Sequence, residues 1–216
     1  MTRSENQRQA VSIGVCGHLW LNAEERVQVH ATAFEALLNW CDQNGTPEKV
    51  ELLSGLAPGS DLVLTAAVME FCQAHKISCE LRVQMISDVG HLIEKWLQRA
   101  TELGHGPTDD AQRAVRERMA YWLGRARSVS VISDQQSELI SPFQALAAHL
   151  AQNSQLLVAV QRPQHPGGPG GTAEIVQWRH QPELIPAALR NQQPPRHAPQ
   201  SIIINPDSGE VTSVGG

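Results

Sequence analysis

The sequence has few cysteines, no long apolar run and no excess of basic charge. Its four cysteines, at positions 16, 41, 72 and 79, form no CxxC pair and no zinc-ligand spacing, so neither a disulfide scaffold nor a zinc site is expected. No run approaches the roughly 18 apolar residues of a membrane span, and the first ten residues contain no apolar signal region. The sequence therefore predicts a soluble, cytoplasmic protein with no membrane partner.

The balance of charge excludes a further class. Seventeen Lys and Arg residues against 22 Asp and Glu residues give a net charge of −5, which argues against attraction to phosphate backbones, so a nucleic-acid partner is not expected. Nine histidines are scattered without an HxH or HExxH pair, so no metal is expected. A chain of 216 residues that is 41% hydrophobic is long enough to build one compact domain around its own core.

Short apolar runs alternate with segments of helical periodicity along most of the chain. Strands are predicted at residues 11–16, 49–55, 78–85, 128–132, 156–160 and 201–205. Helices are predicted at residues 22–40, 61–75, 91–102, 109–125, 141–151 and 172–180. This alternation predicts an α/β protein with a Rossmann-like three-layer α/β/α fold and a mainly parallel sheet.

We expect one domain over residues 1–205 and a flexible tail over residues 206–216. Residues 181–200 are rich in Pro and Gln and are predicted to form an insertion or a lid.

Three predicted strands run into loops of small residues. These loops are GVCGH at 14–18, SGLAPGSD at 54–61 and GGPGGT at 167–172. In a parallel sheet, ligands bind at the carboxyl ends of the strands, near the point where the strand order reverses. Glycine lets backbone N–H groups approach an anion at a helix N-terminus. The three loops together therefore predict a cradle for a phosphate or a nucleotide.

Several residues of these loops have a structural alternative to ligand binding. His18 would hydrogen-bond a phosphate or cap a turn. Asp61 would bind a ribose hydroxyl or cap a helix, and Glu174 would act at a ribose or only favour the helix dipole. Cys16 resembles a nucleophile beside His18, although a buried, inert thiol is favoured. The candidate ligand-binding residues are Gly17, His18, Ser54, Gly55, Gly59, Asp61, Gly168, Gly170, Gly171, Thr172 and Glu174.

Five segments, in this order and spacing, resemble the SLOG superfamily. They are VCGH at 15–18, LLSGLAPGSD at 52–61, FQALAA at 143–148, LLVAV at 156–160 and GGTAEIV at 170–176. The superfamily includes the LOG-type phosphoribohydrolases and DprA-like proteins of bacteria. The resemblance implies a Rossmann-like domain, often a homo-oligomer, that senses or processes nucleotide-derived ligands.

Three functions are compatible with this resemblance. The first is nucleotide binding, with the phosphate on residues 168–172 and the ribose near Glu174 or Asp61; the nucleotide is the only cofactor-like ligand implied. The alternative is hydrolysis of the N-glycosidic bond of a nucleoside 5′-monophosphate, with Glu174 as the catalytic carboxylate. Because no motif places an arginine beside Glu174, binding is favoured over hydrolysis. A third function, DprA-like nucleic-acid binding, is disfavoured by the negative charge.

Overall fold

A computed structural model describes residues 10–102, 104–132, 140–165, 167–191 and 198–215. Strands and helices alternate along these residues, as predicted. The strands are β1 (Ala10–Gly17), β2 (Lys49–Ser54), β3 (Ser78–Met85), β4 (Ser128–Val131), β5 (Leu156–Val160), β6 (Gln200–Ile204) and β7 (Val211–Val214). The helices are α1 (Ala23–Asn44), α2 (Ser60–Ala74), α3 (Val89–Glu102), α4 (Asp109–Arg125), α5 (Pro142–Asn153) and α6 (Thr172–His180).

The strands form one seven-stranded sheet in the order β4-β3-β2-β1-β5-β6-β7. Every pair is parallel except β6 with β7, and Ile13 at the centre of β1 pairs with Leu52 of β2 and Leu156 of β5. From β1 the chain continues to β2 on one side, and it later returns to β5 on the other. The strand order therefore reverses between β1 and β5, and the loops at the carboxyl ends of these two strands border a crevice.

Helices cover both faces of the sheet, which confirms the predicted three-layer α/β/α fold. On one face, Leu52 and Val83 belong to a core cluster that includes buried residues of α1 to α4, such as Phe71. On the other face, Leu157 lies in a second cluster with residues of α5 and α6, such as Trp178. Burying side chains of this size contributes about 1.5–3 kcal/mol each.

Capping residues determine where two of these helices begin. The Asn22 side chain accepts a hydrogen bond of 2.9 Å from the Glu25 N–H, and Glu25 accepts one of 2.7 Å from the Asn22 N–H. Ser141 and Gln144 form the same reciprocal arrangement at the start of α5. These caps satisfy N–H groups that have no partner inside the helix.

The segment predicted as a flexible tail, residues 206–216, contains a strand of the sheet. The chain turns back after β6, with the Asn205 N–H bonded to the Glu210 carbonyl at 2.9 Å, and β7 then pairs antiparallel with β6. Gly209, at φ +72°, supplies the left-handed conformation that this tight turn needs. All four residues of β7 are exposed. Their sequence, Val-Thr-Ser-Val, lacks the alternation of apolar and polar residues that predicts a half-buried strand, so the sequence did not indicate this strand.

The segment predicted as an insertion or lid has two short turns in its described part. Pro182–Leu184 and Ala187–Leu189 are 3-10 helices, and Ile185 between them is buried in the second core cluster. Residues 192–197 of this segment lie outside the described residues. In the described part of the chain, no helix is both long enough and apolar enough to cross a membrane.

Candidate functional site

A cleft of about 430 Å³ lies where the three small-residue loops meet. Its walls are the loop after β1, the loop after β2, one side of α3, the start of α5 and the glycine loop, by which we mean residues 167–171. This is the position expected at the reversal of strand order, because the carboxyl ends of β1 and β5 lie side by side there.

The cleft brings together most of the candidate residues. Those that line it are Gly17, His18, Gly55, Asp61, Gly168, Gly170, Gly171 and Thr172. Among the described residues, Ser54, Gly59 and Glu174 are not part of its lining. No residue of 181–191 lines it either.

Asp61 is a buried carboxyl in the wall of the cleft, 5% exposed. Its Oδ2 atom lies 3.4 Å from the Ala57 backbone nitrogen, which donates to it, and the N–H groups of Gly17 and Gly55 also favour its charged form. Burial outweighs these donors and raises the pKa of Asp61 to about 7. Of the two alternatives for Asp61, the capping of α2 does not occur, because the N-cap residue is Gly59 and Asp61 is the second residue of the helix.

The glycines at 17 and 55 make room for this arrangement. A Cβ atom on Gly55 would lie 3.1 Å from Oδ2 of Asp61, and one on Gly17 would lie 2.5 Å from the Cβ of Ser60. The first two loops therefore surround the protein's own carboxyl group.

The glycine loop is likewise held by an internal carboxylate. Oε2 of Glu174 accepts a hydrogen bond from the Gly170 N–H. Gly170 has φ +77°, and a Cβ there would lie 2.4 Å from the carbonyl carbon of Phe143 in α5. Close packing against α5 thus requires glycine at this position, independently of any ligand.

The N-terminus of α6 keeps free donors beside this loop. Its cap is Gly171, and no side chain of the described residues caps the helix. The first intrahelical bond is donated by Ile175 to the Gly171 carbonyl, which leaves the N–H groups of Thr172, Ala173 and Glu174 without a partner among the described residues. Thr172 itself lines the cleft, so this helix end faces it.

Two cations that the sequence analysis missed line the cleft from α3. Lys95 and Arg99 are four residues apart and so lie on the same side of the helix. Arg99 is paired with Glu102 at 3.0 Å, whereas Lys95 has no ion-pair partner in the described part of the chain. The four-residue spacing of these cations on a predicted helix was the signal that could have identified them.

His18 does not act as a cation in this cleft. Its Nε2 atom accepts a hydrogen bond of 2.8 Å from the Arg162 backbone N–H, which requires an unprotonated nitrogen. Burial, followed by the positive charges of Arg162 and Arg99, lowers the pKa of His18 to about 4. The turn-capping alternative therefore describes what this side chain does.

The three remaining candidates have structural roles. Oγ of Ser54 accepts a hydrogen bond of 3.0 Å from the Leu56 N–H and contacts the Thr65 hydroxyl at 3.0 Å. Gly59 has φ +98° and lies against the Leu19 carbonyl. Burial and the nearby charge of Asp61 raise the pKa of Cys16, so its thiol is not an activated nucleophile.

No protein-family model matches the chain, and a search of curated proteins finds no relative. The resemblance to the SLOG superfamily therefore stays a prediction from the sequence.

Proposed function

We propose that the cleft binds a nucleotide or nucleotide derivative, with a phosphate at the N-terminus of α6. The observation that carries the proposal is the uncapped N-terminus of α6, whose first residue, Thr172, lines the same cleft as Lys95 and Arg99. A helix N-terminus carries a partial positive charge and unsatisfied donors, and added cations strengthen the preference for an anion. A phosphate meets both requirements.

The composition of the walls supports a ligand with more than a phosphate. Leu92, Phe143, Leu146 and Ile175 line the cleft together with the polar groups. Sites for organic ligands are typically apolar with a few placed polar groups, and their volumes are roughly 300–1,000 Å³. A free inorganic anion would leave this apolar surface unused.

The position of Glu174 argues for binding rather than hydrolysis by that residue. Its carboxylate is engaged by the Gly170 N–H at the start of its own helix. A catalytic carboxylate must reach the bond that it cleaves, and Glu174 is not among the described residues that line the cleft. We therefore propose that Glu174 holds the loop that binds the phosphate.

The test is calorimetric titration of the protein with AMP, ADP, ATP, GMP, GTP, NAD and ADP-ribose. Lys95→Gln should weaken binding of the best ligand by about 5- to 30-fold, because roughly 1–2 kcal/mol is expected for one charge-assisted phosphate contact. Lys49→Gln is the matched control, because Lys49 lies at the opposite end of β2 and pairs with Glu80. Absence of heat and of thermal stabilisation with every nucleotide would refute the proposal.

We also propose, from the sequence, a cytoplasmic location and self-association. All four cysteines are free, and three of them are buried, which fits a reducing compartment. Light scattering coupled to size-exclusion chromatography gives the oligomeric state directly, and a monomer at all concentrations would contradict self-association.

A further inference from the structure

Asp61 is a buried carboxyl group that has no cationic partner in the described chain. It is 5% exposed and lines the cleft, and no described Lys, Arg or His lies within ion-pair distance of it. A buried carboxylate is costly unless hydrogen bonds compensate it. The Ala57 N–H donates to Oδ2 at 3.4 Å, and the nearby backbone N–H groups of Gly17 and Gly55 also favour the charged form.

These amides leave part of the carboxylate unused. The two oxygens of a carboxylate offer about four lone-pair positions, so these backbone donors do not occupy all of them and a further donor can be accepted. Since Asp61 is part of the cleft wall, a bound ligand is the partner in reach of that position.

The chemistry of the cleft restricts what that donor is. A ligand ammonium group would be repelled by Lys95 and Arg99, which line the same cleft. A hydroxyl group carries no charge and donates one hydrogen bond, so it meets the need of Asp61 at no electrostatic cost. The ligand therefore combines an anionic group with a hydroxyl group.

We infer that Asp61 accepts a hydrogen bond from a ribose hydroxyl, so that the cleft selects ribonucleotides over deoxyribonucleotides. This inference rests on the proposed function, because it takes the phosphate at the start of α6 as given. It assigns Asp61 a role in specificity, since a buried acceptor that loses its donor makes the deoxy ligand bind less tightly.

The decisive experiment changes the ligand and leaves the protein intact. AMP and GMP are titrated calorimetrically at pH 8 against their 2′-deoxy and 3′-deoxy counterparts. One of the two deoxy forms should bind about 10- to 100-fold more weakly, the range expected for one hydrogen bond to a charged acceptor. Equal affinity of all three forms overturns the inference and leaves the proposed function standing. If neither AMP, GMP nor their deoxy forms bind, the inference is overturned as well. The titrations with the other nucleotides then test the proposed function separately.

A substitution at Asp61 tests whether this residue causes the selectivity. In Asp61→Asn the ratio of ribo to deoxy affinities should fall toward one, whereas the exposed Asp110→Asn control should keep the ratio of the unaltered protein. Selectivity that survives in a folded Asp61→Asn protein overturns the assignment to Asp61. If that variant does not fold, Gly55→Ala is used instead, because its Cβ would lie 3.1 Å from Oδ2 of Asp61 and 2.9 Å from Cδ2 of Leu146, so the carboxyl would have to shift by a few tenths of an ångström.

Discussion

Nε2 of His18 accepts a hydrogen bond of 2.8 Å from the backbone N–H of Arg162, and this bond joins the loops that follow β1 and β5. The Arg162 side chain continues the connection to Glu25 at 2.5 Å and to Asp207 at 2.9 Å. Three segments that are distant in sequence, around residues 18–25, 162 and 207, thus meet beside the cleft.

Replacing Arg162 by Gln should lower the free energy of unfolding by about 1.5–3 kcal/mol, because Glu25 would lose a charged partner in a half-buried position. The side chains of Arg162 and Glu25 are only 14% and 15% exposed. Urea unfolding measures the change. Arg113→Gln is the control, because Arg113 and Asp110 are 67% and 82% exposed and such a pair contributes less than about 1 kcal/mol. Equal losses in the two variants would contradict this view of Arg162.

Gly59→Ala should be far more damaging than Gly45→Ala, although both glycines have positive φ values of +98° and +88°. An added Cβ at Gly59 would lie 2.2 Å from the Leu19 carbonyl oxygen, whereas no described atom lies within 4 Å of one at Gly45. Backbone strain of about 1–3 kcal/mol is common to both, so the collision accounts for the difference. Thermal unfolding should show a markedly lower Tm for Gly59→Ala, and similar Tm values would show that the loop yields easily.

Asp61 should make the protein less stable as the pH rises from about 4 to 7. Its pKa is 3.8 in a model compound and about 7 in the fold, so the folded state holds a proton that the unfolded state has lost. Stability from this group is fully present below pH 4 and is lost as the pH passes 7, a change on the order of 4 kcal/mol. Asp61→Asn should remove this contribution, as measured by denaturant unfolding at several pH values. If the substitution left the dependence of stability on pH unchanged, the pKa of Asp61 would not be raised by folding.

His18 should have the opposite effect on stability over nearly the same pH range. Its pKa falls from 6.5 to about 4 on folding, so the stability it contributes is present above pH 6.5 and is lost as the pH falls toward 4. The magnitude is on the order of 3 kcal/mol, which largely offsets Asp61. In His18→Asn the stability should therefore decrease with rising pH more steeply than in the unaltered protein. A stability that depends less steeply on pH in this variant would contradict the opposite effects of His18 and Asp61.

The sequence was sufficient to predict six of the seven strands and the place where the loops meet. Buried strands such as LLVAV in β5 are continuous apolar runs, and helices such as α1 begin at recognisable caps. Once parallel strands are predicted, their carboxyl ends must share one edge, so the convergence of the three loops followed from the pattern.

The group that lies against the backbone of the first two loops could not be predicted in the same way. Glycine at positions 17 and 55 indicates that the backbone is approached closely, but it does not say by what. The approaching group is Asp61, whose partner Gly17 is 44 positions away in sequence. Only the packing of α2 against the sheet determines that an internal carboxyl, rather than a ligand, lies beside these amides.

The internal carboxylates have a consequence for how a ligand associates. Glu174 fastens the glycine loop and Asp61 joins the two neighbouring loops before any ligand arrives. A ligand then meets a preorganised surface, and little of its binding free energy is spent on ordering the backbone. Association should accordingly occur in a single kinetic phase with only a small change in amide hydrogen exchange, as expected for a binding site that is already formed without its ligand.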